Sequence, residues 1–228
     1  MINISWSKLE LFNECPRCFY FDLRHNVSRP GGYPLNLNNA IDRMMKVEMD
    51  LLREEHESGA RIEVDGKEFM LSKNKNIEKW RLSSHGLNYR FSSSITLKGV
   101  IDDIWEDLNG NLVVVDFKST ASSTPMENLP TWADKIVRQL SFYTYLLDKN
   151  GYDVADKSIV FFVVGEINTK GLLKNLEFDY RKFLIDNDFT WVDQTVEKAQ
   201  EILNSNSIPK SGLNCTYCRF EARRELLG

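Results

Sequence analysis

The four cysteines, Cys15, Cys18, Cys215 and Cys218, form two Cys-x-x-Cys pairs with nearly the whole chain between them. If both pairs serve one metal, the two ends of the sequence must meet, and no other feature restricts the fold so strongly. Two-residue spacing lets both thiolates of a pair reach the same site. Four thiolates suit a tetrahedral zinc ion, and they also suit an iron–sulfur centre. The plainer reading is two pairs of reduced, buried thiols. Disulfides are disfavoured by the expected compartment. The N-terminus, MINISWSKLELF, lacks the basic-then-apolar order of a signal peptide, and no stretch approaches the length needed to span a bilayer. The expected location is therefore the cytoplasm, where thiols stay reduced, with no membrane partner.

A chain of 228 residues suits one good-sized domain. We expect a single domain over 1–228, with 1–30 and 205–228 forming a cysteine–metal clasp. The net charge of −4 means that nucleic-acid binding must rely on a local basic groove, which argues against a DNA-coating role but not against an enzyme.

Along the chain, Ser5 to Phe12 reads as a hydroxyl-capped helix leading into Cys15, and His25 to Pro34 as a loop. Leu37 to His56 carries apolar residues at helical spacing. Short strands follow at RIEVDG and KEFML. The runs Phe91–Ile104 and Leu112–Phe117 flank Asp107-Leu108-Asn109-Gly110-Asn111, whose Asn-Gly pair predicts a hairpin. Ala133–Leu147 reads as a helix and Ser158–Ile167 as a buried strand. A strand around Leu172–Phe178, a helix from about Tyr180 to Leu203, and a loop carrying the last cysteine pair complete the expectation. The fold class is α/β with a mixed central β-sheet flanked by helices.

The run Val113-Val114-Val115-Asp116-Phe117-Lys118-Ser119-Thr120 raises a chemical question. In a strand Asp116 and Lys118 share a face. A surface ion pair is the plain explanation, but the surrounding valines and Phe117 imply burial, and buried charge is costly unless paired or bound to metal. Gly99-Val100-Ile101-Asp102-Asp103-Ile104 brings a second carboxylate to the opposite strand of the same hairpin. Converging carboxylates repel unless a cation lies between them, and hard oxygen ligands suit Mg²⁺ or Mn²⁺. A lysine beside such a site can orient water or stabilise charge on a phosphate.

GVIDDI, a hairpin and VVDFKST, followed by Arg138-Gln139-Leu140-Ser141-Phe142-Tyr143, resemble the ordered motifs of the PD-(D/E)XK nucleases, especially the RecB-like branch with its QxxxY helix. The resemblance implies a restriction-endonuclease-like fold. It makes Asp102 and Asp116 metal ligands, Lys118 the catalytic lysine, and Gln139 and Tyr143 parts of an accessory helix beside the site. That branch usually takes one more ligand, histidine or glutamate, from an N-terminal helix. Here Asp42 stands at the histidine position, with Glu48 as the alternate. Asn13-Glu14-Cys15-Pro16-Arg17-Cys18-Phe19-Tyr20 resembles the CPxxFY start of the same branch. Some members, among them nucleases of CRISPR spacer acquisition and the AddB recombination subunit, carry a 4Fe-4S cluster on one N-terminal and three C-terminal cysteines. This tail has two cysteines, with Arg224 in place of a third, and Cys18 would supply the missing thiolate. The resemblance thus favours a cluster, whereas the spacing alone favours zinc.

The expected function is a metal-dependent DNA nuclease, most simply an exonuclease, in repair, recombination or phage- or CRISPR-related DNA processing. Its substrate would be single-stranded DNA or duplex ends. Arg17, Lys135, Arg138 and Arg219 are candidate phosphate contacts, although solvation is the plain fate of each. A different class is a non-catalytic module that grips DNA or a helicase. The retained Asp102, Asp116 and Lys118 set argues against it. The sequence has no GxxxxGK(S/T) motif, so ATP-driven unwinding would need another chain, a helicase or recombination partner.

Overall fold

Strand β7 (Leu112–Ser122) runs through the middle of a six-stranded sheet of order β2-β3-β6-β7-β8-β9 in this computed structural model. Its neighbours are β6 (Asp103–Glu106), antiparallel, and β8 (Lys157–Glu166), parallel. Strand β9 (Phe178–Asp186) lies antiparallel beyond β8, while β2 (Arg61–Val64) and β3 (Lys67–Leu71) extend the other edge. The sheet is therefore mixed. Its two central strands read as near-continuous apolar runs, as strands covered on both faces do. The structure describes residues 1–56, 59–123, 126–167 and 177–227.

The parallel β7–β8 pair requires a crossover, supplied by helix α5 (Asp134–Lys149), which packs against both strands. Helix α3 (Asn36–Glu55) packs against β7 and β3. Its Met45 and Met49 join Val113, Val115, Phe117, Ile159, Phe161 and Val163 in one core. These are alternate positions of β7 and β8, so one face of the sheet is sealed by α3. The intervening positions include Asp116 and Ser158, and the Ser158 hydroxyl meets Thr144 of α5 at 3.1 Å. The α5 face thus holds the polar groups.

The Asn-Gly turn forms as expected. Gly110 adopts φ +83°, and the Asp107 carboxylate accepts hydrogen bonds from the backbone N–H groups of Asn109 and Asn111. Other expectations need correction. The run Phe91–Ile104 is not one strand. It is divided into β5 (Ile95–Gly99), in a separate sheet, a bend, and β6. Gly99 stands at the break, where a Cβ would lie 2.7 Å from Leu146 Cδ1 and 3.0 Å from Tyr143 Cδ1 of α5. The helix expected from Tyr180 begins only at α6 (Val192–Asn204), since pairing with β8 claims residues up to Asp186 for β9. The strand expected around Leu172–Phe178 falls largely outside the described residues, and Phe178 opens β9.

The chain forms two compact units. Pro34–Asn88 and Gly99–Phe189 carry the six-stranded sheet with α3, α5 and the short α4 (Ile77–Arg81). Met1–Tyr33, Tyr89–Lys98 and Thr190–Gly228 form the other. In it β1 (Ile2–Ser5) pairs parallel with β5, within a three-stranded sheet of order β1-β5-β4 where β4 is Leu87–Arg90. Helices α1 (Trp6–Glu14), α2 (Pro16–His25) and α6 pack together there. Ser5 holds the cap position of α1, but its hydroxyl pairs with that of Ser7 rather than the helix backbone. The tail is not a loop throughout, for α7 (Thr216–Leu227) starts directly after Cys215. No helix among the described residues is long and apolar enough to cross a membrane.

Candidate active site

Asp116 sits at the centre of β7 with 2 % of its surface exposed, and Lys118 two residues on reaches back to it as an ion pair. The partner is real but incomplete. Asp116 Oδ2 faces the ammonium yet accepts no well-formed hydrogen bond among the described residues. Burial pushes the Asp116 carboxyl up to about 7; Lys118 opposes the shift and the neighbouring Asp102 adds to it. A buried carboxylate with one ammonium partner and a second carboxylate beside it is a poor structural element and a candidate cation site.

Asp102 does not stand in a strand, as the sequence suggested. It occupies the bend just before β6, and its Oδ2 accepts the Phe117 backbone N–H at 3.0 Å. This bond draws it to the middle of β7, next to Asp116. Its other oxygen meets Lys46 Nζ of α3 at 2.9 Å, and the same ammonium reaches Asp42 Oδ2 at 2.8 Å. Burial alone would lower the Lys46 pKa, but Asp102 and Asp42 outweigh it and the net shift is upward. Lys46 therefore stands as a fixed cation between two of the expected ligands. Asp42 belongs to this cluster. Glu48 is exposed and lies about 240° further round the helix, so the structure does not bring it there.

On α5, Gln139 Nε2 donates to the Tyr143 hydroxyl at 3.1 Å. Tyr143 is buried, which raises its pKa, and the charges of Asp116 and Asp102 raise it further despite the Gln139 bond. It stays a neutral phenol facing the carboxylates. Lys135 is exposed and Arg138 half-buried near the start of the same helix, and both are engaged in interactions.

A second charged group lay hidden in the sequence. Asp103 is fully buried and ion-paired with Arg53 and Arg81, while Trp105 Nε1 donates to its Oδ2 at 3.1 Å. Arg81 also donates to the Asp102 carbonyl at 2.8 Å and to both oxygens of Asp50. Arg53 donates to the Ser72 carbonyl at 2.8 Å. This knot ties α3, α4 and β6 together directly beneath Asp102. The adjacent Asp102–Asp103 pair was the available signal, since neighbouring strand residues face opposite ways and cannot serve one site.

In the other unit the four cysteines converge, with all four Sγ atoms within 4.8 Å of one another. Both pairs sit at helix starts. Cys15 caps α2, with Pro16 at the first helical position, and Cys215 immediately precedes α7. Burial would raise the Cys15 thiol, but N–H groups of Gly212 and Cys18 outweigh it and hold the pKa at about 6. Arg17 spends its Nε on the Pro209 carbonyl at 3.0 Å, and Arg219 is exposed on α7.

Asp102, Asp116 and Lys118 are thus gathered at the centre of a mixed sheet flanked by helices. The sequence matches the model of the PD-(D/E)XK nuclease superfamily over residues 32–223, and the chain belongs to that superfamily. No curated protein matches it. Among solved structures, the crystal structure of SSO0001 aligns over 96% of this chain and 84% of that one, at 16% identity and a TM-score of 0.42.

Proposed function

We propose that the chain is a metal-dependent deoxyribonuclease of the RecB-like branch that hydrolyses phosphodiester bonds, most simply from a DNA end. The observation that carries this reading is the buried Asp116 carboxyl, ion-paired with Lys118 and with Asp102 beside it. Asp102, Asp116 and Asp42 would hold Mg²⁺ or Mn²⁺. Such an ion supplies Lewis acidity and an activated water when bound. The protein's own part is positional. The Phe117 N–H fixes the Asp102 carboxylate, and Lys118 Nζ is placed to orient the attacking water and offset charge gathering on the phosphate. Tyr143, kept neutral, can donate its proton only as a hydrogen bond, which suits holding a phosphate oxygen or a ligand carboxylate.

Substrate contacts follow from the same face. In the β7–β8 register Lys118 lies opposite Phe162, and Trp132 packs edge-on against that ring at 6.0 Å while remaining 58% exposed. An exposed indole beside the lysine offers a stacking surface for an unpaired base. Lys135 and Arg138 on α5 would take backbone phosphates, and Arg17 and Arg219 are the candidates in the other unit. Repair, recombination or phage- or CRISPR-related processing, with a helicase supplied by another chain, is the setting that suits such an enzyme.

The test is incubation with end-labelled single- and double-stranded DNA in Mn²⁺, Mg²⁺ or EDTA. Cleavage that requires metal and disappears in folded Asp116→Ala and Lys118→Ala variants is expected. Undiminished cleavage by Asp116→Ala removes the site. Tight DNA binding by the parent with no cleavage in either metal favours the alternative, a non-catalytic binding module.

A further inference from the structure

The four-cysteine group can be tested against the cluster that the RecB-like resemblance implies, because the two candidate centres demand different sulfur spacings. A single tetrahedral zinc ion with bonds of about 2.3 Å sets its four sulfurs about 3.8 Å apart along every edge. In a 4Fe-4S cubane each thiolate caps a different iron at a corner of the cube, which spreads the sulfurs to about 6 Å. Here Cys15 and Cys218 Sγ are 3.7 Å apart, Cys18 and Cys215 3.6 Å, and Cys18 and Cys218 3.7 Å. No pair exceeds 4.8 Å. These are edges of a one-ion tetrahedron, and they leave no room for a cube of iron and sulfide between the thiolates.

The backbone around the thiolates is built to the same scale. The Gly212 N–H donates to Cys15 Sγ at 3.2 Å, and the Cys218 N–H donates to Cys215 Sγ at 3.5 Å. Gly212 is pressed so closely on the chain before Cys15 that a Cβ would lie 2.0 Å from the Glu14 carbonyl oxygen. The second cysteine pair is thus carried in against the first by a loop that cannot move inward and has no side chain to spare. Spreading the sulfurs by more than 2 Å per edge would break these contacts. Arg29 Nη2 meets Cys215 Sγ at 3.5 Å and its guanidinium lies over the Tyr217 ring, while Nη1 donates to Glu14. A zinc ion with four thiolates carries a net charge of minus two, and Arg29 offsets part of it.

We infer that Cys15, Cys18, Cys215 and Cys218 hold one mononuclear tetrahedral metal ion, zinc by its match to four thiolates, and not a 4Fe-4S cluster. The site is structural: four protein ligands close the shell, and a closed tetrahedral shell leaves no position for substrate. Its energetic role is to tie α2 to α7 across the longest loop in the chain.

The experiment is independent of nuclease activity. The full chain is purified anaerobically from iron-supplemented cells, and metal and acid-labile sulfide are counted. Colourless protein with one zinc per chain, no sulfide, and four sulfur neighbours at about 2.3 Å by zinc X-ray absorption is expected. Because host cells can insert the wrong metal, apo-protein is also offered zinc and, separately, ferrous iron with sulfide. Zinc should restore the parent melting temperature, and iron with sulfide should not. Four irons with matching sulfide in the purified protein, or restoration only by iron and sulfide, overturns the proposal. One iron without sulfide keeps the tetrahedron but overturns zinc. Cys215→Ser and Cys18→Ser should each lose the ion, and retention of a full equivalent by either also overturns it.

Discussion

Arg81 donates its Nε to the backbone carbonyl of Asp102 at 2.8 Å, so a buried guanidinium fixes the main chain of a proposed metal ligand. Arg81→Met should therefore act twice. It leaves Asp103 with one cation instead of two, which should lower stability by about 2–4 kcal/mol. It also frees the Asp102 backbone, which should weaken Mn²⁺ binding roughly tenfold, as losing the support of a ligand does. Calorimetric titration of the folded variant at low temperature separates the two effects. Unchanged Mn²⁺ affinity would show that the Arg81 contact supports the fold alone.

Asp116 gives a pH prediction with a definite sign. Its carboxyl is raised from 3.8 to about 7, so the folded, metal-free protein holds that proton more tightly than the unfolded chain. The stabilisation is complete below about 4 and is lost as pH climbs towards about 7. Without metal, Asp116→Asn should match the parent in acid and exceed it at pH ~8 by roughly 1–3 kcal/mol. Mn²⁺ at the higher pH should stabilise the parent and not the variant. Denaturant melts at the two pH values decide it, and a variant less stable than the parent at high pH would refute the assignment.

Lys46 shares Asp42 and Asp102 with the proposed ion. Replacing it with methionine removes a positive charge from the edge of a cation site, so Mn²⁺ should bind roughly tenfold more tightly. Asp42→Ala should weaken binding and Glu48→Ala should leave it unchanged. Weaker binding in Lys46→Met would instead mean that the ammonium organises the two carboxylates.

Trp132→Ala should reduce affinity for single-stranded DNA by about 1–3 kcal/mol, the usual worth of one base–aromatic stack. Blunt duplex, which presents fewer unpaired bases, should lose less. Fluorescence anisotropy in Ca²⁺, with both substrates, makes the comparison, and equal losses would count against stacking.

What could be read from the sequence was local or periodic. Asp116 and Lys118 share a face because strand residues alternate, the Asn-Gly pair specified its own turn, and Gln139 and Tyr143 meet because they are four apart on a helix. What could not be read depended on partners far along the chain. Gly99 has no room for a side chain because α5 presses on it, residues up to Asp186 are extended because β8 pairs with them, and Lys46 matters because Asp102 lies across from it. The arginines that neutralise Asp103 come from α3 and α4, which no periodicity connects to β6. The cysteine spacing predicted one shared site, and the sulfur separations, which no spacing gives, carry the proposal of a single ion.

The cysteine group also has a history built into its order. During synthesis the first pair emerges with α2, and the second follows only after all six strands of the large sheet. A chain stopped anywhere between the two pairs can offer two of these four thiolates. Capture of the proposed ion by all four therefore waits until Asp42, Asp102, Asp116 and Lys118 have all been made. Cells short of the proposed ion should accumulate chains in which α2 and α7 are not joined, and proteases should cut these sooner than ion-loaded chains.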